Sequence, residues 1–376
     1  MTENELTDAE SVCDLSTLAL TLVPGVGPRL LTGLLDVFDT AEEVLKASDK
    51  QLRSVDGVGA KLAEGIAVAR SLQTARQVQS WCQRNDVRIL LRHAADYPDR
   101  LHDLHDTPPL LFVRGELEQQ DQIGVAIVGT RHATQYGLRQ ARLYAGALAR
   151  CGVTIISGMA RGIDAAAHEA AMDAGGRTIA VMGCGLATIY PPEHEGLSSA
   201  IAAHGALISE YSPMVKPRAP LFPQRNRIVS GLSMAVLVVE APERSGALIT
   251  ARQAGEQGRE VMAIPGAITS RSSRGCNALI RDGATLVQSV DHVLECLGPV
   301  ARPIDLDDGG QLHSGAEIQL NEQEQRVLRA IEPTSTSIDS VCRACDLPIQ
   351  RVLATISVLE NRRLVRRLSG QYVSRI

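Results

Sequence analysis

The sequence predicts an α/β protein whose central domain is a doubly wound, mostly parallel sheet, with a helical domain before it and a winged helix after it. Three observations predict this architecture: short β-rich runs alternating with helical segments, two glycine hairpins near the start, and three helices followed by a hairpin at the end. The 376 residues are 44% hydrophobic, enough for two or three domains with their own cores. We expect domains over 1–80, 81–297 and 317–376, with a linker over 298–316.

The first domain is predicted from two similar segments, Val23–Pro28 and Val55–Ala60, each with the pattern hydrophobic-x-Gly-hydrophobic-Gly. Leucines at helical spacing follow each segment, as in helix-hairpin-helix units. In such units the glycines let the chain turn sharply and direct N–H groups at a DNA phosphate. The same pairs also form purely structural helical domains, so the pattern leaves both functions open.

The central domain is predicted to be Rossmann-like because near-continuous apolar strands alternate with helical segments, which is typical of a parallel sheet covered on both faces. The predicted strands cover residues 125–128, 153–156, 178–182, 206–209, 235–239, 260–264 and 284–287. Ligands of such sheets bind outside the carboxyl ends of the strands. We therefore expect the functional residues in the turns that follow them.

Small residues follow four of the predicted strands, at 129–131, 157–158, 183–185 and 245–246. Glycine and serine in a strand-to-helix turn let backbone N–H groups approach an anion, so four such turns on one edge predict a phosphate-binding rim. The sequence has no Walker A motif, and Gly183–Thr188 departs from the dinucleotide fingerprint at its third glycine. Neither ATP nor a nicotinamide cofactor is predicted.

The segment 216–227 combines cations with an aromatic ring: it holds Lys216, Arg218, Arg225 and Arg227, no acid, and Phe222, one of three phenylalanines in the chain. Its prolines predict an extended loop ahead of a helix that begins near Arg225–Asn226. Guanidinium groups neutralise phosphates, and an exposed ring stacks on an unpaired base, which a duplex does not offer. In the alternative interpretation, Phe222 packs into the core and the arginines pair with Glu240 and Asp164.

The C-terminal region predicts a winged helix, with helices at 321–331, 337–345 and 348–361 and a hairpin at 364–373. Asn321 and Glu324 are placed to form a capping pair for the first helix. Five arginines and no acid lie between Arg362 and Arg375. Winged helices bind duplex DNA or protein, and both stay open. The net charge of −5 requires that any nucleic-acid site be local.

The eight cysteines are scattered, and the sequence shows no secretory leader and no apolar run that could span a bilayer. These features predict a cytoplasmic protein with free thiols and no membrane segment. Cys342 and Cys345 have zinc-like spacing, but no second pair lies near them, so they are interpreted as core thiols. No metal site and no cofactor are predicted.

Motifs throughout the central region resemble the DNA-processing protein DprA (Smf) family. They cover residues 127–131, 157–168, 190–191, 209–210, 222–233, 245–250, 256–259, 264–266 and 277–280. The flanking helical and winged-helix regions fit longer family members. The resemblance implies a non-enzymatic, homodimeric protein that binds single-stranded DNA and protects incoming DNA during natural transformation. It also implies that the protein loads the recombinase RecA and helps to displace single-strand-binding protein.

The resemblance also implies the site residues, position by position. Arg131 corresponds to a DNA-contacting arginine of the family and Phe222 to a base-stacking aromatic. Lys216 or Arg218 corresponds to a cation in the loop. The signature triplet and the glycine-rich rim correspond to Arg225, Asn226 and Arg227, and to Ser157, Gly158, Ser245 and Gly246. Asp164 and His168 are interpreted as capping and supporting residues, and no catalytic residue is expected.

Two alternatives are weighed against this function. One is a duplex-DNA-binding regulator that acts through the winged helix. The other is an enzyme similar to nucleoside-monophosphate phosphoribohydrolases, whose Pro-Gly-Gly-x-Gly-Thr turn precedes a catalytic glutamate. Here the segment 245–252 has no Gly-Gly pair and has Ala251-Arg252 where the glutamate belongs, which argues against hydrolysis.

Overall fold

The computed structural model describes residues 15–305, 311–314, 320–332, 335–362, 364–368 and 371–375. Its first region is helical, as predicted. The helices are α1 (15–21), α2 (Pro28–Phe38), α3 (Ala41–Lys46), α4 (Asp49–Leu52), α5 (Ala60–Ala69) and α6 (Gln73–Arg84). The last of these spans the expected domain boundary at residue 80.

The two glycine hairpins occupy equivalent places before α2 and α5. Gly25 and Gly57 have φ values of 99° and 84°, a region that favours glycine. A Cβ on Gly25 would lie 3.5 Å from Leu62, and one on Gly57 would lie 3.4 Å from Leu30. Each hairpin therefore packs under the helix that follows the other, which makes the two segments one tandem unit.

The central domain contains nine strands in one sheet. They are β1 (Val87–Leu91), β2 (Leu110–Gly115), β3 (Gly124–Val128), β4 (Thr154–Ser157), β5 (Thr178–Val181), β6 (Gly205–Ser209), β7 (Ala235–Val238), β8 (Glu260–Ala263) and β9 (Thr285–Leu286). The seven predicted strands are confirmed as β3 to β9, which run parallel. Two strands that were not predicted, β1 and β2, join the β6 edge in antiparallel orientation.

Helices connect the parallel strands and cover the sheet. They are α7 (Gln135–Arg150), α8 (Ile163–Asp173), α9 (Glu195–His204), α10 (Leu221–Leu232), α11 (Gly246–Glu256), α12 (Arg274–Arg281) and α13 (Val290–Glu295). The strand order is β1-β2-β6-β5-β4-β3-β7-β8-β9. The chain builds outward from β3 to β6 and then returns to place β7 on the other side of β3. This reversal opens a crevice at the carboxyl ends of β3 and β7.

The start of α10 differs from the prediction, since the helix begins at Leu221 and not near Arg225–Asn226. Pro220 is its N-cap and Pro223 lies in its first turn. Proline is tolerated there because the N–H groups of the first turn have no intrahelical partner. Phe222 consequently lies on a helix that faces the crevice and not in an extended loop.

The expected linker contains two strands, β10 (Pro299–Asp305) and β11 (Gln311–Ser314), which pair antiparallel. Residues such as Gly, Pro and Asp are as common in hairpin turns as in linkers, so the composition did not predict these strands. Residues 306–310 and 315–319 lie outside the described residues.

The C-terminal region is the predicted winged helix. Its elements are α14 (Glu322–Arg329), β12 (Thr336–Ser337), α15 (Ile338–Cys345), α16 (Ile349–Asn361), β13 (Val365–Arg367) and β14 (Tyr372–Arg375). Asn321 and Glu324 form the predicted capping box. The predicted turn at residues 369–370 lies outside the described residues.

The apolar cores show which parts depend on one another. One cluster begins with Leu18, Leu34 and Ile66 of the helical region and continues into Phe112 and Met182 of the sheet. The winged helix has its own cluster, built from residues 320–373. Among the described helices, none is both long enough and apolar enough to cross a membrane.

Candidate functional site

A groove of about 590 Å³ lies where the strand order reverses, and we call it the switch-point groove. The turns after β3, β4 and β7 and the first turns of α10 and α11 line it. Eight of the eleven predicted site residues are in its lining: Arg131, Gly158, Arg218, Phe222, Arg225, Asn226, Ser245 and Gly246. Ser157, Lys216 and Arg227 are not. The groove therefore unites residues that are more than a hundred positions apart in the sequence.

Arg131 and Phe222 meet in this groove. The guanidinium carbon of Arg131 lies 5.4 Å from the ring centroid of Phe222, within the range of a cation–π contact. The Tyr190 ring lies 5.5 Å from the same ring, at an interplanar angle of 46°. A Cβ on Gly183 would lie only 2.6 Å from the Phe222 ring. Phe222 is thus half-buried, with its ring packed on the turn after β5 and adjacent to an exposed cation.

Arg131 lies on a turn that is fastened to the end of β7. The Thr130 N–H donates to the Glu240 carbonyl at 2.7 Å. The buried Glu240 carboxylate accepts from the N–H and the hydroxyl of Thr134, both at 2.8 Å. A Cβ on Gly137 would lie 2.3 Å from that carboxylate. Glu240 thus holds the turn after β3 in place. The alternative interpretation expected it to pair with the arginines of 216–227, and it does not.

The turn after β4 is already occupied by the protein itself. The buried Asp164 carboxylate accepts from the N–H groups of Gly158 at 3.2 Å and Ala160 at 3.3 Å. Burial raises the pKa of Asp164, and Arg225 and the two N–H groups oppose this by favouring the charged form. The Ser157 hydroxyl is buried and donates to the Ile127 carbonyl at 2.6 Å. The Gly158 N–H and the Ser157 hydroxyl are therefore committed to internal hydrogen bonds.

The turn after β5 is covered as well. The N–H of Gly185 donates to the Val215 carbonyl at 2.8 Å, and that of Ala187 donates to the Pro213 carbonyl at 3.0 Å. A Cβ on Gly185 would lie 2.1 Å from the Ser212 carbonyl. The predicted rim of four turns therefore includes two turns whose N–H groups are not available to a ligand. Neighbouring backbone occupies the turn after β5, and Asp164 occupies the turn after β4. The turns after β3 and β7 are the open part.

The turn after β7 leads directly into α11. The Ser245 hydroxyl caps this helix by accepting from the Ala247 N–H at 3.3 Å. Gly246 is exposed, and a Cβ there would meet nothing within 4 Å. The Asn226 amide donates to the Gly246 carbonyl at 3.4 Å, which ties the start of α11 to α10. First-turn N–H groups have no intrahelical partner, so this end of α11 suits an anion.

The arginines of the signature triplet point inward. Arg225 is buried and donates to the carbonyls of Gly158, at 2.8 Å, and Val181. Burial lowers the pKa of its guanidinium, which Asp164 partly offsets. Arg227 is also buried and pairs with Glu210 and, at 3.2 Å, with Asp106. These contacts anchor α10 to the sheet, and only the intervening Asn226 is half-exposed.

Arg244 is a lining residue that the sequence reasoning missed. It is exposed and directly precedes Ser245-Gly246, so a cation at the end of a predicted strand was the available signal. The lining contains the cations Arg131, Arg218, Arg225 and Arg244. Among the described lining residues Asp164 is the sole carboxylate. The groove is therefore a local positive site in a chain of net charge −5.

A family model described as DNA recombination-mediator protein A matches residues 88–298, more than half of the chain. The chain belongs to this family, DprA. A model of the DprA winged helix domain matches residues 313–371, and a SAM-like helix-hairpin-helix tandem matches residues 17–70. The resemblance inferred from the motifs is thereby confirmed, together with the character of both flanking regions.

Individual DprA relatives agree. A Synechocystis protein named Smf is 43% identical over 287 residues, covering 75% of this chain and 72% of that protein. The Escherichia coli Smf protein is 39% identical over 294 residues, covering 78% and 79%. A structure of DprA from Streptococcus pneumoniae matches with a TM-score of 0.62 and 32% identity, covering 74% of this chain and 95% of that one.

A Helicobacter pylori structure of DNA processing protein A matches with a TM-score of 0.51 and 31% identity, covering 55% of this chain and 93% of that one. It is described as giving insight into the unique single-stranded DNA binding mode of that protein.

Proposed function

We propose that this DprA-family chain binds single-stranded DNA in the switch-point groove and acts as a recombination mediator, not as an enzyme. The observation that carries the proposal is the contact between Arg131 and Phe222, a phosphate ligand and a stacking ring in one positive groove. The binding mode named for the Helicobacter pylori relative supports the same ligand.

Strand binding requires the Arg131 guanidinium to exchange partners. In the structure it lies over the Phe222 ring. An incoming base takes that face, and the guanidinium moves to the adjoining phosphate. Stacking of this kind contributes about 1–3 kcal/mol per base and tolerates any sequence. The same arrangement disfavours a duplex, whose bases are already stacked on one another.

The other contacts follow the open part of the rim. Arg218 and Arg244 neutralise neighbouring phosphates, and the Gly246 N–H at the start of α11 donates to another. Lys216 is exposed just outside the groove, so Arg218 is the better candidate for the loop cation. Ser157, Arg225 and Arg227 act by shaping the groove, because their side chains are buried.

Family membership supports the wider role. A homodimer joins two grooves on one strand and gains affinity through effective concentration. We propose that this dimer protects incoming DNA in the cytoplasm during transformation, loads RecA and helps to displace single-strand-binding protein. Pull-down of RecA with the purified protein, with and without oligo-dT, tests the partner. Absence of capture in both conditions would contradict it.

Fluorescence anisotropy with labelled oligo-dT tests the groove. We expect Phe222→Ala to weaken binding by about tenfold or more, and Phe222→Trp to retain it, because stacking needs only an aromatic face. Arg131→Ala should also lower the slope of log affinity against log salt by about 0.7, the share of one single-strand phosphate contact. Unchanged affinity in both alanine variants would exclude the groove.

A second candidate, duplex binding through the winged helix, has one observation in its favour. Arg366, Arg367 and Tyr372 are exposed on the wing strands β13 and β14. Binding of a duplex by the full chain but not by residues 1–298 would support it. Hydrolysis of nucleotides has no such support, because Ala251 is buried where the related enzymes have a carboxylate. Release of adenine from AMP would contradict this.

A further inference from the structure

We infer that single-stranded DNA continues from the switch-point groove onto a second surface, formed by Tyr136, Ile268, Arg271 and Arg274 beyond the ends of β7 and β8. We call this surface the Tyr136 ledge. The inference rests on the proposed function of the groove, because it extends the path of the same strand.

Hydrogen bonds hold the ledge rigidly. The Tyr136 hydroxyl, from the start of α7, donates to the Pro265 carbonyl at 3.1 Å. The Gly266 N–H donates to the Asn277 side-chain oxygen at 3.1 Å, and the Asn277 amide returns a hydrogen bond to the Gly266 carbonyl at 3.0 Å. The loop after β8 is thereby fixed to both α7 and α12. A surface that is already ordered loses little entropy when a strand binds to it.

The ledge is continuous with the groove. The Gly275 N–H donates to the Ala241 carbonyl at 2.8 Å, and a Cβ on Gly275 would lie 2.6 Å from that oxygen. The first turn of α12 therefore touches the turn after β7, three residues before Arg244. Arg244 lines the groove, and the residue before it, Glu243, has its carboxylate 3.8 Å from the guanidinium of Arg274. Since adjacent strands are about 4.8 Å apart, β8 lies only about 10 Å from β3.

The exposed groups of the ledge suit an unpaired strand. Tyr136 is 39% exposed and Ile268 is 86% exposed. Arg271, three residues after Ile268 in the same loop, and Arg274, at the start of α12, are exposed as well. An exposed aromatic ring combined with cations is a pattern by which single strands are bound without sequence preference. A duplex would have no use for the Tyr136 ring, and the guanidinium groups favour a phosphate chain over an apolar protein surface.

The length of the oligonucleotide separates the two surfaces. The full chain is titrated with labelled thymidine oligonucleotides of about six and about twenty nucleotides, of which only the longer reaches past the groove. Tyr136→Ala should weaken binding of the longer strand by about tenfold and leave the shorter one unchanged. Tyr136→Phe keeps the ring but loses the hydrogen bond to Pro265, so it should bind the shorter strand as the parent does and retain most of the affinity for the longer one.

The cations are tested by salt dependence. The double variant Arg271→Ala/Arg274→Ala should lower the salt slope for the longer strand by about 0.7 per lost contact. Arg281→Ala is the matched control, because Arg281 is an exposed arginine at the opposite end of α12 and pairs with Asp282. It should leave the slope unchanged, which separates local contacts from a general loss of positive charge.

Failure of the ledge and failure of the groove give different results. If Phe222→Ala weakens both lengths while the Tyr136 and arginine variants change neither, the ledge is excluded and the groove stands. If none of the variants changes the affinity for either strand, the groove is excluded and the ledge falls with it. Circular dichroism melts of each variant confirm that the fold is retained.

Discussion

Phe222 owes its position to a neighbour that lacks a side chain. The ring packs where a Cβ on Gly183 would lie, at 2.6 Å, and residues 212–215 cover the turn after β5 that contains Gly183. A methyl group there cannot be accommodated without moving the ring. The absence of a side chain at position 183 therefore sets the position of the Phe222 ring, although Gly183 is not itself a proposed DNA contact.

We expect Gly183→Ala to displace the ring and weaken oligo-dT binding by about tenfold, the size of a lost stacking contact. The measurement is a titration by fluorescence anisotropy. Gly196→Ala is the control, since a Cβ on Gly196 would meet nothing within 4 Å. Equal affinity of the two variants would show that the ring position does not matter.

His168 shows how a conspicuous residue can be structural. Its Nδ1 lies 2.6 Å from the Thr178 hydroxyl, which itself donates to the Ile155 carbonyl, so Nδ1 must carry the proton. The ring is fully buried, and its Nε2 has no partner among the described residues. Burial, with Arg225 and His194 nearby, lowers the pKa of His168 to about 3. The imidazole is therefore neutral in the folded protein.

A pH dependence follows from this pKa. Below about pH 6.5 the imidazole of His168 is protonated in the unfolded chain but stays neutral in the folded one. The free energy of unfolding therefore falls as the pH drops from about 6.5 toward 3. One titrating group can lower the free energy of unfolding by at most about 1.4 kcal/mol per pH unit. We expect His168→Asn to lose less stability than the parent between about pH 7 and 5, measured by urea midpoints. His204→Asn, at an exposed position, should follow the parent; identical slopes in all three would contradict the assignment.

The sequence predicted Arg131, Phe222, Ser245 and Gly246 as site residues because each follows a strand or lies in the cation-rich segment 216–227, and all four line the switch-point groove. It could not separate Arg225 and Arg227 from Asn226. Successive helix residues point about 100° apart, and only the packed structure shows which of them face Glu210, Asp106 and the β4 turn. Arg244 was missed although it directly precedes Ser245-Gly246, because only the packed structure shows that it lines the groove.

The elements illustrate which local signals are reliable. The capping box of α14 was predicted from Asn321 and Glu324 and is present, because both halves of the signal act within one turn. The start of α10 was misplaced because proline fits a first helical turn as well as an extended loop. The strands β1 and β2 were missed because the pair joins the sheet through β2 and β6, which are distant in sequence, while β1 pairs with β2.

We expect Asn321→Ala to destabilise the start of α14 by about 1 kcal/mol, because the Glu324 N–H loses the side-chain oxygen that caps it. Hydrogen exchange of peptides from α14 in the full chain measures this as faster exchange. Asn321→Ser retains a capping oxygen and should exchange like the parent. Equal protection in the alanine variant would mean that packing on Val327 and Leu328 alone fixes the helix end.

At the scale of the molecule, the cores divide the chain unevenly. The helical region shares an apolar cluster with the sheet, whereas the winged helix has its own. Removing residues 1–80 would expose buried leucines and the outer strands to water. Removing the winged helix would leave the central core intact.

We expect residues 1–298 to keep the melting temperature and oligo-dT affinity of the central domain. Residues 81–376 should melt lower or aggregate, because about 25 cal/mol is lost for each Å² of apolar surface that becomes exposed. Differential scanning fluorimetry and size-exclusion chromatography make the comparison. Equal stability of the two truncated chains would contradict a shared core.

The contact between Arg131 and Phe222 has a consequence for the protein without DNA. An uncovered aromatic ring at the rim of a groove favours self-association, because exposed apolar surface promotes protein–protein contact and aggregation. Here the Arg131 guanidinium lies over the ring, and in the proposed function the same cation binds a phosphate. In the proposed binding mode, the covered face of Phe222 becomes accessible only when a phosphate chain draws the Arg131 guanidinium away.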